Sequence, residues 1–542
     1  MIRKIFILGC IFFLAYFLRF WELGGNPPSL DWDEASLGYN AYSILTTGRD
    51  EYGSFMPLSF RSFGDYKPPL YTYLTVFPVW LFGLNEFSTR FISAFFGSLS
   101  VVIGYLLIRK LFPGQAFWRY ALFTFLFALS PWHIQFSRVA FEANLSVFFF
   151  LTGVYFFLGS RTQKHFFLAS LLSFATSLYA YHSPRLMIPL FLVGLFILFR
   201  NQMRISWRWF ISAVAIFLLL ISPIFTDIGK STSARFGSVT ILNDNELLKS
   251  SIGKQEEDRV NNDVLGSLMH NRRIVYAKAM LGGYLDHFNF DFLFLTGDAA
   301  FRHHAFGMGM LYLWEFPFLV FGVLVLLGKL RHNQNVQLLF LWFLVSPISS
   351  SITKATPHAV RSLLFIPTHE IFITFGIVWV LTKLAWKKNI FPLAVPALFF
   401  FFLLNIYYYL HMYWVHTPVE YSQEWQYGYK QVVQEVTKLE QNFKKIIVTY
   451  RYDQPYIYFL FYKKVDPFWY QQNWKEETIG RFTRKFGKYE FRNLDWREDR
   501  NEKNVLFVSI PNHPDEIPDD TDGIVHTVYF LNGKVAMRIV AR

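Results

Sequence analysis

Apolar runs of membrane length recur along this sequence, and no other feature restricts its fold so strongly. A helix needs about twenty apolar residues to cross a bilayer. Runs approaching that length lie near 4–22, 86–108, 118–136, 142–160, 165–182, 184–200, 207–226, 311–330, 335–352, 360–382 and 390–412. The expected fold class is therefore a polytopic α-helical membrane protein with about eleven transmembrane helices. Composition agrees: 53% of the 542 residues are hydrophobic and only 17% are charged, less charge than a water-soluble chain usually carries.

The charges that remain are sorted by loop. If Arg3 and Lys4 are cytoplasmic, alternation puts Arg109, Lys110, Arg119, Arg161, Lys164, Arg200, Arg204, Arg208, Lys329, Arg331, Lys383, Lys387 and Lys388 on the same side. All of these loops are basic, as the positive-inside rule requires, and none carries an acid. Membrane topology thus accounts for the net charge of +13, and no nucleic-acid partner is expected. The first run is expected to be a retained helix rather than a cleaved signal. A single cysteine, Cys10, excludes an intramolecular disulfide.

Three segments on the opposite, extracytoplasmic side are long. The first, 23–85, contains "DEASLGYNAYSILTTG", which reads as an amphipathic helix ended by Gly48, and "KPPLYTYLTVFPVWLFG", an apolar stretch too short to span. The second, 227–310, has a middle, "NDNELLKSSIGKQEEDRVNND", that reads as a polar, mobile loop. Residues 413–542 read as a soluble α/β domain, with strands at "KKIIVTY" and "NVLFVSIP" and a hairpin turning at Asn532-Gly533 through a type I′ connection. The expected division is a membrane domain at 1–412 and this extracytoplasmic domain at 413–542.

Ionisable residues near membrane segments mark paths or sites. On this topology one face of the membrane collects Asp33, Glu34, Lys67, Arg138, Arg185, Lys354 and Arg361, with Asp65, Tyr66, His182, His303 and His358 nearby. Each has a plainer reading. Asp31, Asp33 and Glu34 suit the first turn of a helix, where acids complement the dipole. The arginines suit anionic headgroups. Adjacent His303 and His304 are poorly spaced for one metal site. Together, a basic cluster in apolar surroundings suits a lipid phosphate, held by Lys and Arg while helix surfaces hold its chain. Carboxylates beside it suit base catalysis on a hydroxyl acceptor.

The motifs "WDEASLGYNA", "DYKPPLYTYL" and "PHAVRSLLFIP", in that order on a multi-span chain, resemble those of the lipid-phosphosugar-dependent glycosyltransferases of the GT-C superfamily. The nearest branches are the protein O-mannosyltransferases and the aminoarabinose transferases. The resemblance covers roughly residues 1–410. It implies a polyprenyl-phosphate monosaccharide donor, an extracytoplasmic acceptor and an inverting displacement. It implies that Asp33 is the base, that Glu34 contacts acceptor or orients the site, and that Lys67 binds the donor phosphate. Arg138, Arg185 and Arg361 are further candidates for the phosphate. Asp65, Tyr66, His182, His303 and His358 are candidates for the substrate pocket.

Two departures bear on these expectations. The aminoarabinose branch has a metal-holding acid directly before the lysine, where this chain has Tyr66. No cofactor is therefore assigned beyond a possible divalent metal. The added domain is C-terminal, which leaves protein, lipid and cell-envelope glycan all open as acceptors. The expected location is the plasma membrane, with the N-terminus cytoplasmic and the site outside. A flippase for a lipid-linked sugar is the alternative, since it also needs a basic headgroup site; it would more naturally show paired repeats and charges at mid-membrane. A non-catalytic receptor would leave the acids and Lys67 without a role.

Overall fold

The structure, a computed structural model, describes residues 1–202, 206–227, 237, 239–386, 391–477 and 483–542. Arg204, Lys387 and Lys388 lie outside the described residues. Each apolar stretch contains a helix. Among the described residues, five helical spans have the length and composition to cross a membrane: Glu86–Leu111, Glu142–Ser160, Trp207–Ile224, Leu363–Ala385 and Pro392–Glu420. Others are shorter, among them Phe117–Leu129, His165–Ala180 and Pro184–Phe199.

The chain forms two compact units that do not follow its order. The first takes Met1–Arg19, Phe95–Ser137 and Glu142–Tyr409. It is built from apolar helices, and aromatic side chains fill it. Phe150, for example, meets Phe174, Phe191 and Trp342 at centroid distances of 5.6, 5.1 and 5.1 Å. The middle of the segment 227–310 is not a loop. It forms helices Asn245–Val260, Val264–Met269 and Arg272–Asp286. Asp244, Asp263 and Asn271 cap their N-termini with side-chain hydrogen bonds, a start signal that polarity alone hides.

The second unit takes Phe20–Ala94, Arg138–Phe141 and Leu410–Arg542. Its helix Trp32–Thr47 is N-capped by Asp31 and closed by Gly48 at φ +68°, where only glycine turns without strain. The expected amphipathic character is absent. Ten of its sixteen residues are buried, because helices Leu70–Phe82 and Pro455–Tyr462 pack against it. Gly38 allows the approach: a Cβ there would stand 2.5 Å from Thr89 Oγ1 and 2.6 Å from Phe461 Cε2.

Strands β1 (Phe60–Ser62) and β2 (Asp65–Lys67) form an antiparallel hairpin with Phe60 opposite Lys67. The larger sheet comprises β3 (Lys445–Val448), β4 (Lys475–Glu477), β5 (Thr483–Phe486), β6 (Tyr489–Phe491), β7 (Val505–Ser509), β8 (Ile524–Tyr529) and β9 (Val535–Ala541). Its order is β4-β5-β6-β3-β7-β9-β8, with β3 parallel to both β6 and β7. Buried β7 explains the unbroken apolar run "VLFV". The β8–β9 hairpin is not type I′. Gly533 alone is left-handed, at φ +81°, and its N–H bonds Phe530 O. This is the three-residue connection with glycine in the αL position.

Candidate active site

In the second unit the acidic cluster divides its labour residue by residue. Asp31 Oδ1 accepts from Glu34 N at 2.8 Å, and Glu34 Oε2 accepts from Asp31 N at 3.2 Å. This capping box fixes the helix start. Glu34 is wholly buried. Its two oxygens accept from Arg90 Nε and Nη2 at 2.8 and 2.9 Å, and Oε1 also accepts from Ala140 N at 2.9 Å. Arg90 donates further to the carbonyls of Leu23, Pro27 and Ser29. Glu34 is therefore saturated by protein, and the fork it shares with Arg90 clamps the loop before the helix.

Asp33 faces outward instead. Its side chain is 35% exposed, and Oδ1 lies 2.7 Å from Lys67 Nζ, the last residue of β2. Lys67 is itself 9% exposed, so a nearly buried ammonium pairs with a carboxylate that solvent can reach. Asp65 turns onto the backbone, where Oδ1 accepts from Tyr66 N at 2.7 Å. Arg138 is fully buried. Nε donates to Tyr413 OH at 3.1 Å and Nη2 to Asn26 O at 2.8 Å, with Trp414 under the guanidinium. Its setting is a protein clamp more than an open phosphate site.

The first unit gathers the other candidates. His182, Arg185 and Arg361 line one pocket of about 350 Å³, with Tyr181, Ile352 and Leu186 among its walls. Arg361 Nη1 donates to Thr353 Oγ1 at 2.7 Å and to Lys354 O at 2.9 Å. Arg185 Nε donates to Leu178 O at 3.3 Å. Two cations in an apolar-walled pocket suit an anionic head on an apolar chain.

Near it stands a cluster that sequence spacing did not show. Asp298 Oδ2 lies 2.6 Å from His303 Nδ1, 4.0 Å from His358 Nδ1, and accepts from Ala359 N at 2.8 Å. Burial pushes the Asp298 carboxyl up, but His303, His358 and the Ala359 N–H outweigh it and bring it down to about 2. Burial, with Arg361 behind it, holds His358 well below the usual histidine range. The ligand atoms of the three lie within 4.8 Å of one another. His358 Nδ1 is buried and makes no hydrogen bond among the described residues. Two imidazoles and one carboxylate are a zinc-type donor set, so these residues fit a divalent metal.

Arg90 escaped the sequence reading because it lies inside a membrane-length helix; a buried charge in such a helix was itself the missed signal. Asp298 stands five residues before His303 and 60 before His358 and carried no spacing signature.

Residues 9–230 match the family model described as dolichyl-phosphate-mannose-protein mannosyltransferase. No curated protein sequence matches the chain. Among solved structures, the chain is similar to ArnT of Cupriavidus metallidurans at 13% identity and TM-score 0.51, over 99% of this chain and 97% of that one. ArnT has also been solved bound to undecaprenyl phosphate. The chain is similar to the oligosaccharyltransferase AglB of Archaeoglobus fulgidus, solved with an inhibitory peptide and a dolichol-phosphate, at 12% identity and TM-score 0.50 over 84% of this chain. It spans 63% of AglB's length. At these identities the likeness is one of fold. The resemblance to GT-C transferases drawn from the motifs is borne out by both the family model and the fold.

Proposed function

We propose that this protein is a membrane glycosyltransferase that moves one sugar from a polyprenyl-phosphate donor to an extracytoplasmic acceptor. The acceptor hydroxyl attacks the anomeric carbon, its proton passes to Asp33, and the bond to the phosphate breaks with inversion. The electron pair leaves on the polyprenyl phosphate, whose charge Lys67 beside the base offsets. Within the first unit, Arg185 and Arg361 are the candidates for holding a lipid phosphate in their own pocket. Glu34, Arg90 and Arg138 position the loop that leads into the helix carrying the base. A metal at Asp298, His303 and His358 would add positive charge for a phosphate; no step here depends on it.

The observation that carries this reading is the contrast between neighbours: Glu34 is saturated by Arg90, whereas Asp33 is partly exposed and paired with a lysine. The lipid phosphates bound by ArnT and AglB support the donor class. Topology has its own support. Residues 20–94 and 410–542 share a compact unit, which supports a topology with the first loop and the C-terminal residues on one side of a membrane, as about eleven crossings would leave them. We place that side outside, in the plasma membrane, with residues 1–412 anchoring the protein.

The test is sugar transfer by reconstituted protein from a panel of polyprenyl-phosphate sugars to envelope acceptors. Asp33→Asn should lower transfer by about 10²–10⁴ while donor binding survives. Unchanged transfer would move the base elsewhere. Translocation of donor without any transfer by wild type would establish the flippase instead.

A further inference from the structure

The second unit also encloses a cavity of about 390 Å³ that the proposed chemistry does not use. One wall is the tip of the β1–β2 hairpin, at Arg61, Phe63 and Gly64. The other comes from the large sheet and its loops, at Tyr450, Gln454, Glu476 and Arg484.

Arg484 is the notable wall. It is 3% exposed, yet only Nη2 is used, donating to Glu476 Oε2 at 2.9 Å and Tyr52 OH at 3.2 Å. Nε and Nη1 are buried and make no hydrogen bond among the described residues. The guanidinium is caged by the rings of Tyr456, Tyr52 and Trp474, at 3.8, 5.5 and 5.5 Å from its carbon. Aromatic faces hold a cation in place but leave its in-plane N–H groups unsatisfied, and buried donors of that kind are costly unless something accepts from them. A second observation lies at the hairpin tip. Phe63 and Gly64 both have positive φ, +52° and +82°. A two-residue hairpin turn asks for positive φ at both central residues, and Phe63 takes it at a steric cost that fixes the tip's shape.

The polar groups come in both senses. Glu476 is held between Arg484 and Arg61, whose Nη2 donates to Oε2 at 3.2 Å. Tyr450 OH bonds Gln454 Oε1 at 2.6 Å, which orients the Gln454 amide to donate with its NH₂. A phosphate would meet the Glu476 carboxylate as a like charge. Sugar hydroxyls both donate and accept, so vicinal hydroxyls can bridge an arginine and a glutamate while a ring face rests on an aromatic side chain. We propose that this cavity is a binding subsite for a neutral saccharide. The hairpin that forms one wall ends at Lys67, three residues from Gly64 and therefore roughly 10 Å along the strand. If the transferase reading holds, on which this last assignment rests, the bound saccharide belongs to a glycan acceptor.

The test uses full-length protein in nanodiscs and saturation-transfer NMR with glucose, galactose, mannose, N-acetylglucosamine and chitobiose, with inorganic phosphate as competitor. At least one sugar should bind, and Glu476→Gln and Arg61→Gln should each weaken it about tenfold or more, the loss of one charge-assisted hydrogen bond. Arg61 is 39% exposed, so Arg61→Gln should keep the wild-type Tm; Glu476 also pairs buried Arg484, so Glu476→Gln is measured well below its own Tm. Binding should survive Asp33→Asn. No binding by any sugar, binding indifferent to both substitutions, or displacement by phosphate would each overturn the subsite. Sugar binding without any transfer by wild type would sink the transferase reading and leave the subsite standing.

Discussion

The helix Trp32–Thr47 has a pair of neighbouring acids at each end, and the two ends treat them differently. At the N-terminus, Glu34 is buried against Arg90 and Asp33 is held at the surface by Lys67. Just beyond the C-terminus, Asp50 accepts from Tyr52 N and Ser54 N at 3.0 and 2.8 Å. Beside it, both Glu51 carboxyl oxygens are buried with no hydrogen bond among the described residues. Burial pushes Asp50 up, against its backbone hydrogen bonds. Burial pushes Glu51 up to about 7, although Arg484 pulls the other way. The same residue types thus give a clamped anion, an accessible anion and a carboxyl that is half protonated near neutrality. Partners decide which, and only the accessible anion is suited to accept a proton from a substrate.

The comparison can be broken most directly at Glu34. Glu34→Gln strips the charge from one side of a buried ion pair, and the expected cost is about 3–5 kcal/mol, read as a large fall in Tm with transfer lost through unfolding. A variant that kept its Tm but lost transfer would make Glu34 chemical and reverse the assignment with Asp33.

Glu51 tests the other end. Its folded-state pKa lies above its ordinary value, so the folded state binds the extra proton. Stability from that proton is present below about pH 4.5 and is lost as pH rises through about 7. The loss amounts to roughly 3 kcal/mol. Glu51→Gln should therefore raise Tm relative to wild type at pH 8 and change it little at pH 4.5. Equal differences at both pH values would show that Glu51 is ionised in the folded state.

A smaller effect is expected in the first unit, at the pocket lined by Arg185 and Arg361. Arg185→Gln should weaken donor binding about tenfold, the worth of one charge-assisted hydrogen bond, with Tm unchanged. Binding of polyprenyl phosphate measured on the purified protein decides it; unaltered affinity would remove Arg185 from the donor site.

Much of this was legible in the sequence because the signals are local. Apolar length marked the helices, Asp31 and Gly48 bracket a helix that the structure contains, and the short β-branched apolar runs in "KKIIVTY" and "NVLFVSIP" marked β3 and β7. What stayed hidden depends on residues distant in the chain. The capped helices after Asp244 looked mobile because their polarity masked three capping signals. Asp298 joins His358 across 60 positions, and Arg484 meets Tyr52 across 432. No periodicity or spacing encodes such meetings.

The make-up of the second unit also bears on how the protein is assembled in time. Tyr458 OH donates to Leu30 O across 428 residues, and the helix bearing Asp33 is buried partly against Pro455–Tyr462. At about 5–20 residues per second, that partner emerges roughly 20–90 s after the helix itself. On the proposed topology, the first loop spends that interval across the membrane without its cover, while the intervening helices are inserted. Folding of the region around the proposed base is therefore a late, post-insertion event, and in the cell this is the window in which proteases and chaperones compete for the nascent chain.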